Sequence, residues 1–310
     1  MSELAILTLA VGLDLLLGEP PSVVHPVVWA GKLIARLEGL VPKEGKRRQF
    51  CYGSGMVLIG IAAFALPTWF LLSYLARMNV LAYVLVGTLL LKPTFALRGL
   101  WEAAEGVRRS LAREEMGEVR ARLKSLVSRD VSTLSAPLMV AAAVESTAEN
   151  MCDSFVAPLF YYLCFGVPGA LAYRVLNTFD SMMGYHGSYE YLGKAAAKLD
   201  DLANLIPARL TALLIVVASY LTGAHGRQAW GTMLRYHGRT ESPNAGWTMS
   251  AMAGALQVQL EKVGHYRLGE PREPLSANKI AQGIRLAQMT AFLAFFSAMG
   301  MGVVRYVRLS

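Results

Sequence analysis

Apolar runs of near-bilayer length punctuate this chain. Residues 51–76 carry no charged side chain, nor do residues 286–304, and each approaches the roughly 20 apolar residues that a membrane-crossing helix needs. Residues 80–91 and 210–224 form shorter uncharged runs, and 4–17 form a short first span interrupted by Asp14. That first span lacks the basic n-region and small-residue cleavage site of a secretory signal, so it is expected to be retained. Two more uncharged runs, 134–144 and 154–173, flank the string Glu145-Ser146-Thr147-Ala148-Glu149-Asn150-Met151-Cys152-Asp153. On a helix, Glu145, Glu149 and Asp153 stand at i, i+4 and i+8 and form one carboxylate stripe. Ionisable groups at membrane depth are costly and persist mainly where they face a polar cavity with work to do. Pro158 and Pro168 interrupt the second run, and proline inside a membrane helix frees carbonyls that neighbouring protein or a cavity must satisfy. The pattern predicts an all-α, polytopic membrane protein with about four to six membrane segments, some kinked or re-entrant.

Composition agrees with this reading. The chain has 310 residues and is 54% hydrophobic, with a mean hydropathy of +0.39, too apolar for an average soluble domain. Its net charge is +8, from 30 Lys and Arg against 22 Asp and Glu. The basic residues gather in two loops, one holding Lys32, Arg36, Lys43, Lys46, Arg47 and Arg48, the other running from 92 to 129. Positive loops beside spans are retained in the cytoplasm. Both fall on one side if spans lie at 4–17, 55–76 and 80–97 with the N-terminus outside. The charge excess is thus assigned to topology, and no nucleic-acid partner is expected. Residues 98–130 read as a charged, amphipathic cytoplasmic insertion in a single domain spanning 1–310. Opposite charges recur there at three- and four-residue spacing, which suits a solvated helix surface. The stretch 225–285 reads as polar. The three cysteines have no C-x-x-C pairing and no histidine partner at metal-ligand spacing, so neither a disulfide framework nor a zinc site is expected.

Four clusters carry candidate chemistry. The first is Asp14 with Gly18, Glu19 and Pro20, followed by His25-Pro26; His25 is a candidate proton-transfer group or ligand. The second is the acidic stripe with Asn150, whose carboxylates suit Mg²⁺ through hard oxygen contacts or an amine through charge-assisted hydrogen bonds. The third is Asn177-Thr178-Phe179-Asp180-Ser181, ending at Gly184-Tyr185, with Gly187 and Gly193 as further punctuation. The fourth is Lys194, Lys198, Asp200, Asp201, Asn204 and Arg209; the arginine lies one turn into an apolar helix, where it snorkels or clamps phosphate. Ser242-Pro243-Asn244-Ala245-Gly246 is a weaker fifth element that a turn alone explains. Neither G-x-x-x-x-G-K-[ST] nor G-x-G-x-x-G occurs, so any nucleotide is bound by another geometry.

Taken together, these strings resemble the CobD/CbiB family of cobalamin biosynthesis, the adenosylcobinamide-phosphate synthases. The resemblance rests on LDLLLGEPPSVVHPV at 13–27, RDVSTL at 129–134, ESTAENMCDSFVAPLFY at 145–161, YRVLNTFDSMMGY at 173–185, AAAKLDDLANLIPARLTA at 195–212 and SPNAGW at 242–247. It runs from the first helix to at least residue 269. The chain departs from the family pattern at Glu19, where Asp is usual, and only partly matches it beyond residue 259.

The resemblance implies a multi-pass protein of the cell membrane with its active site facing the cytoplasm. It also implies an ATP- and Mg²⁺-dependent ligase. The reaction would join aminopropanol phosphate, or free aminopropanol, to a propionate carboxylate of adenosylcobyric acid through an acyl phosphate. Membrane lipid and other corrinoid-pathway enzymes are expected partners. On this reading Glu149, Asp153 and Asp180 bind the Mg²⁺-phosphate, with Asp200 or Asp201 as a further metal contact. Arg129, Lys194, Lys198 and Arg209 hold phosphate or the corrin carboxylate, and Glu145 accepts the amine's proton. Asn150, Asn177 and Asn244 bond substrate amides; Asp14, His25, Asn204 and Ser242 complete the expected substrate site. Two other classes compete. A secondary transporter would also carry intramembrane carboxylates and broken helices, but no internal repeat is visible. A non-catalytic membrane scaffold for corrinoid enzymes is the other. A lipid-type alcohol phosphotransferase ranks lower, because its D-G-x-x-A-R signature is absent.

Overall fold

The computed structural model describes residues 1–42, 45–184 and 190–309. Lys43, Tyr185 and Gly187 lie outside the described residues. The helices run α1 (Ser2–Leu17), α2 (Pro26–Glu38), α3 (Lys46–Met78), α4 (Val80–Leu91), α5 (Leu97–Ala112), α6 (Met116–Leu123) and α7 (Ala136–Met151). After a π-helical turn (Cys152–Val156) come α8 (Ala157–Met183), α9 (Lys194–Ala203), α10 (Leu205–Leu221), α11 (Gly226–Tyr236) and α12 (Ala245–Leu256). A hairpin of β1 (Leu260–Lys262) and β2 (Tyr266–Leu268) pairs Leu260 with Leu268 and Lys262 with Tyr266. The helix α13 (Ala277–Leu309) follows.

Four stretches are long and apolar enough to cross a membrane: Lys46–Met78, Val80–Ala112, Ala136–Met183 and Ala277–Val307; α9 with α10 passes as a fifth when taken together. Large apolar side chains face outward on them, among them Leu58, Ile59, Trp69 and Phe70 on α3 and Phe292 and Phe296 on α13. Water would penalise such faces and hydrocarbon does not. The chain is therefore a polytopic membrane protein, helical but for one short hairpin. The expected first span, α1, has 16 residues, about 24 Å at 1.5 Å per residue, short of the roughly 30 Å hydrocarbon core. It is instead tied to its neighbours: Tyr83 of α4 and Tyr162 of α8 both donate to the Glu3 carboxylate, the latter over 2.8 Å.

The chain divides into two compact units, each assembled from separated stretches. One comprises Met1–Ala96, Ala157–Asn204 and Ala298–Ser310; the other comprises Leu97–Val156 and Leu205–Ser297. In the first unit, Ala30 and Ile34 of α2, Met56 and Val57 of α3, and Leu176 and Phe179 of α8 share a core with Leu192. Glycines let these elements meet. A β-carbon on Gly60 would overlap the Phe179 ring at Cε2, and one on Gly53 would lie 2.9 Å from the Leu192 carbonyl carbon. Small residues permit the same close approach between helices in membranes generally.

The second unit packs α5, α6, α7, α10 and α12 around Val107, Leu123, Val140, Ile215 and Met252. Here the structure corrects the reading of 225–285 as uniformly polar, for α12 is buried at ten of its twelve positions. Its sequence is mostly small residues, and a β-carbon on Gly254 would stand 2.8 Å from Ala229 of α11. The charged 98–130 stretch forms α5 and α6, whose outer faces carry the i,i+4 pairs Arg98–Glu102 and Arg122–Glu118.

The apolar stretch 154–173 breaks beside both prolines. The π turn precedes Pro158, which has no N–H for the carbonyl four residues back. Gly166 adopts φ 68°, ψ −161° two residues before Pro168, a conformation open essentially to glycine alone.

Candidate functional site

In the first unit, α8 sets Arg174, Asn177 and Asp180 at i, i+3 and i+6, neighbouring turns of one helix. Facing residues come from α9 and the position that ends it. Asn177 donates from Nδ2 to Asp200 Oδ1 at 3.4 Å, and Asn204 Nδ2 donates to Asp200 Oδ2 at 2.9 Å. Asn204 Oδ1 in turn accepts the Tyr173 hydroxyl at 2.9 Å, while Arg174 Nη1 donates to Asn177 Oδ1 at 3.4 Å. The result is a continuous polar chain, Arg174–Asn177–Asp200–Asn204–Tyr173, that joins α8 to α9. The carboxylates of Asp180, Asp200 and Asp201 lie near enough for their charges to act on one another. Asp180 bends over Gly184, whose missing β-carbon leaves room for the carboxylate.

A second group in this unit surrounds the end of α1. Asp14, 1% exposed, lies 3.7 Å from Lys92 Nζ. His25 caps α2: its Nδ1 accepts the Val27 N–H at 3.2 Å, so Nε2 carries the proton and donates to Glu19 Oε2 at 2.7 Å. Burial tends to raise the Glu19 pKa. The His25 hydrogen bond and the charges of Lys92, His25 and Arg174 outweigh it and hold Glu19 below the ordinary carboxylate value. The Arg174 charge thus links this group to the polar chain electrostatically.

In the second unit, Arg129 Nη2 donates to Glu145 Oε2 at 2.9 Å, and both side chains are largely buried. The loop that presents Arg129 is held by Asp130, which accepts the Ser132 N–H at 2.9 Å and hydroxyl at 2.8 Å, and by Arg120, whose Nε donates to the Ser132 carbonyl at 3.1 Å. Those Ser132 bonds hold the Asp130 pKa down. Glu145 Oε1 and Arg129 Nε are buried with no hydrogen-bond partner among the described residues. Tyr266 of β2 closes on this pair; burial, then the charges of Glu145 and Glu149, push its hydroxyl pKa up, so it stays a neutral donor. Asn150 is committed to its own helix through Ser146, at 2.9 Å to the carbonyl and 3.0 Å to the hydroxyl.

Elsewhere in the same unit, Arg209 Nη1 donates to Asn244 Oδ1 at 3.2 Å. Its guanidinium sits 4.8 Å from the centroid of Trp247, whose ring also stacks on His237 at 4.0 Å. Ser242 Oγ accepts the Asn244 N–H at 3.2 Å, fixing the turn into α12.

The expected residues therefore fall into two sets. Asp14, His25, Asn177, Asp180, Lys194, Lys198, Asp200, Asp201 and Asn204 belong to the first unit, and Arg129, Glu145, Glu149, Asn150, Asp153, Arg209, Ser242 and Asn244 to the second. The carboxylate stripe does not stay uniform: Glu145 is buried, Glu149 is exposed, and Asp153 falls in the π turn. Lys194 and Lys198 are exposed on α9. The expected metal set divides, with Glu149 and Asp153 in one unit and Asp180 and Asp200 in the other. Among the described residues no three His, Cys, Asp or Glu side chains form a metal-holding group. Lys92, Arg174 and Tyr266 join the polar groups although sequence reasoning gave Arg174 and Tyr266 no role and read Lys92 only as the start of a basic loop; Lys92 is instead buried. The signal for the first two was a lone cation inside apolar sequence; Tyr266 gave none.

A family model described as CobD/Cbib protein matches residues 7–291. The chain is 47% identical over 310 residues, covering 100% of both chains, to the cobalamin biosynthesis protein CobD of Dehalococcoides mccartyi. It is 42% identical over 308 residues, 98% of this chain and 99% of the other, to a probable cobalamin biosynthesis protein CobD of Methanothermobacter thermautotrophicus. Against the cobalamin biosynthesis protein CobD of Geobacter metallireducens it is 40% identical over 291 residues, 91% of each chain. No solved structure matches it.

Proposed function

The chain belongs to the CobD/CbiB family, and we propose that it is an ATP- and Mg²⁺-dependent amide ligase of cobalamin biosynthesis in the cell membrane. It joins aminopropanol phosphate, or free aminopropanol, to a propionate carboxylate of adenosylcobyric acid. The observation that carries this reading is the polar chain of the first unit, which gathers Asn177, Asp200 and Asn204 with the Asp180 carboxylate near enough to act on Asp200. Mg²⁺ is ordinarily held by one or two carboxylates together with substrate phosphate oxygens. Asp180 and Asp200 supply such a pair, so the residues present fit the ion even without a third carboxylate. When bound, Mg²⁺ neutralises charge on the polyphosphate.

A carboxylate is a poor acyl donor at neutral pH. Transfer of the ATP γ-phosphoryl group to the propionate oxygen gives an acyl phosphate and ADP. The amine nitrogen then attacks the acyl carbon, the C–O bond to phosphate breaks, and phosphate departs as the amide forms. The attacking amine must lose a proton, and Glu145 is assigned as its acceptor through Oε1, the oxygen that Arg129 does not hold. Arg129 orients that carboxylate through Oε2, and Tyr266 keeps a neutral donor beside it. Arg209 and Asn244 are assigned to substrate oxygen and amide groups, the arginine held over Trp247. ATP is cytoplasmic, so the Asp180 and Asp200 pair is assigned to the cytoplasmic side.

The test is incubation of the detergent-purified protein with ATP, Mg²⁺, adenosylcobyric acid and either amine, with mass spectrometry of the products. An amide-linked corrinoid formed with stoichiometric ADP and phosphate supports the reading. Absence of both the amide and nucleotide turnover, with a folded protein and all substrates present, overturns it.

A further inference from the structure

We infer that Lys92 and Arg174 form a binding seat for a phosphoryl group, at the end of the polar chain that leads through Asn177 to Asp200. Lys92 opens the short turn after α4, and its side chain is 8% exposed. Its ammonium has three N–H donors, yet Nζ makes no hydrogen bond to any described residue. The Asp14 carboxylate at 3.7 Å balances its charge but stands beyond hydrogen-bond reach. Arg174 is similarly underused: Nε is buried with no hydrogen-bond partner among the described residues, and Nη1 reaches Asn177 only at 3.4 Å.

Burying a cation without hydrogen bonds costs several kcal/mol, and a purely structural ion pair would close to direct contact to offset it. The turn that carries Lys92 packs against α8, the helix that carries Arg174, and the charges of both cations act on Glu19, so the two share one region. A point-charge ammonium beside a forked guanidinium is the combination that recognises phosphoryl oxygens. The neighbouring Asp180 and Asp200 cannot hold that anion. They suit the cation that accompanies it, so anion and metal would occupy neighbouring positions, the anion at Arg174 and the metal at Asp200 beyond Asn177. Asp14 and the Glu19–His25 pair then serve as resident counter-charges that keep the seat neutral between ligands.

The identity of the phosphoryl compound rests on the ligase reading, under which both ATP and aminopropanol phosphate carry one. The full-length protein in detergent is titrated by calorimetry with Mg²⁺-ATP, inorganic pyrophosphate, aminopropanol phosphate and free aminopropanol. Lys92→Met and Arg174→Gln are each expected to weaken binding of phosphate-bearing probes roughly ten- to hundredfold, the loss of a charged hydrogen bond, and to leave free aminopropanol unaffected. Loss confined to ATP and pyrophosphate assigns the seat to the nucleotide, and loss confined to aminopropanol phosphate assigns it to the amine. If one variant does not fold, the other decides. If neither folds, the unaltered protein must show a melting temperature raised by pyrophosphate. A folded variant that binds every phosphate probe like the unaltered protein overturns the seat, as does an unaltered protein that pyrophosphate does not stabilise. An unaltered protein that makes no amide, yet binds phosphate through Lys92 and Arg174, sinks the ligase reading and leaves the seat standing.

Discussion

Gly184 leaves open the space that the Asp180 side chain occupies: a β-carbon at position 184 would overlap Asp180 Oδ1 and stand 2.6 Å from the Asp180 carbonyl. The glycine ends α8, and its N–H bonds back to that carbonyl at 2.7 Å, so it cannot move away without unwinding the last turn. Gly184→Ala is therefore expected to rotate Asp180 away from Asp200. Misplacing a reacting group by about 1 Å costs on the order of a hundredfold in rate. The expected outcome is a loss of amide formation of that order with a higher Mg²⁺ requirement, read from initial rates across a Mg²⁺ titration. Unchanged rates would show that Asp180 takes no part.

Arg129 and Glu145 make a second testable pair. Removing one partner of a fully buried ion pair costs about 3–5 kcal/mol because the other charge stays behind. Arg129 retains 17% exposure, so Arg129→Met is expected near the lower end of that range, about 3 kcal/mol. Adding Glu145→Gln should recover much of the stability and none of the activity. Thermal melts of both single variants and the double variant, in one detergent, measure the coupling.

Much of this architecture was legible because burial and lipid leave periodic signatures. The uncharged runs at 51–76 and 286–304 became the apolar centres of α3 and α13, and Pro158 and Pro168 each follow a break by two residues. The pairing of Asp200 with Asn204 followed from i,i+4 spacing on α9. What sequence could not show was long-range. The units cross over at Ala96, Val156, Asn204 and Ser297 with no glycine- or serine-rich linker, so no compositional shift marks them. Helical spacing placed Glu145, Glu149 and Asp153 on one stripe, but the π turn interrupts the α-helical register at Asp153. Arg174 is an isolated cation with no spacing to read, and Lys92 counts in sequence with the basic loop that follows it. Averaging over 225–285 hid α12, whose small residues pass as neutral until their packing is seen.

Packing in the first unit predicts a stability defect separable from chemistry. A β-carbon on Gly53 would lie within 2.9 Å of the Leu192 carbonyl carbon, and backbone on both sides leaves little to yield. Overpacking of this kind costs about 1–3 kcal/mol. Gly53→Ala is expected to lower the melting temperature while leaving KM for ATP unchanged in the fraction that remains folded. A variant as stable as the parent would show that α3 can shift away from Leu192.

Glu19 predicts a pH dependence with a definite sign. Its folded pKa is held below the ordinary value of 4.5, so the folded state favours its ionised form. A carboxylate lowered in this way contributes fully above the unfolded pKa and loses that contribution as pH falls through the folded pKa. Glu19→Gln should therefore melt below the parent at neutral pH, with the gap closing only as pH drops below 4.5. Melting temperatures of both proteins across an acid series test this. A gap that persists unchanged at the acid end would assign the defect to lost packing.

Tyr266 offers the sharpest separation of positioning from structure. Its hydroxyl lies beside the Glu145 and Glu149 charges, with Met249 Sδ at 3.7 Å. Phenylalanine preserves the ring and the hairpin register while removing the donor. A hydrogen bond to a charged group contributes about 1.5–3 kcal/mol, and each 1.4 kcal/mol corresponds to about tenfold in rate. If Tyr266 orients Glu145 for proton transfer, Tyr266→Phe lowers kcat roughly ten- to hundredfold and leaves KM for ATP in place. The limb of the kcat profile that reports the proton acceptor should also shift, because the donor beside that carboxylate is gone. A change in melting temperature with kcat and its pH profile intact would make Tyr266 a packing residue and remove its assigned part in holding Glu145.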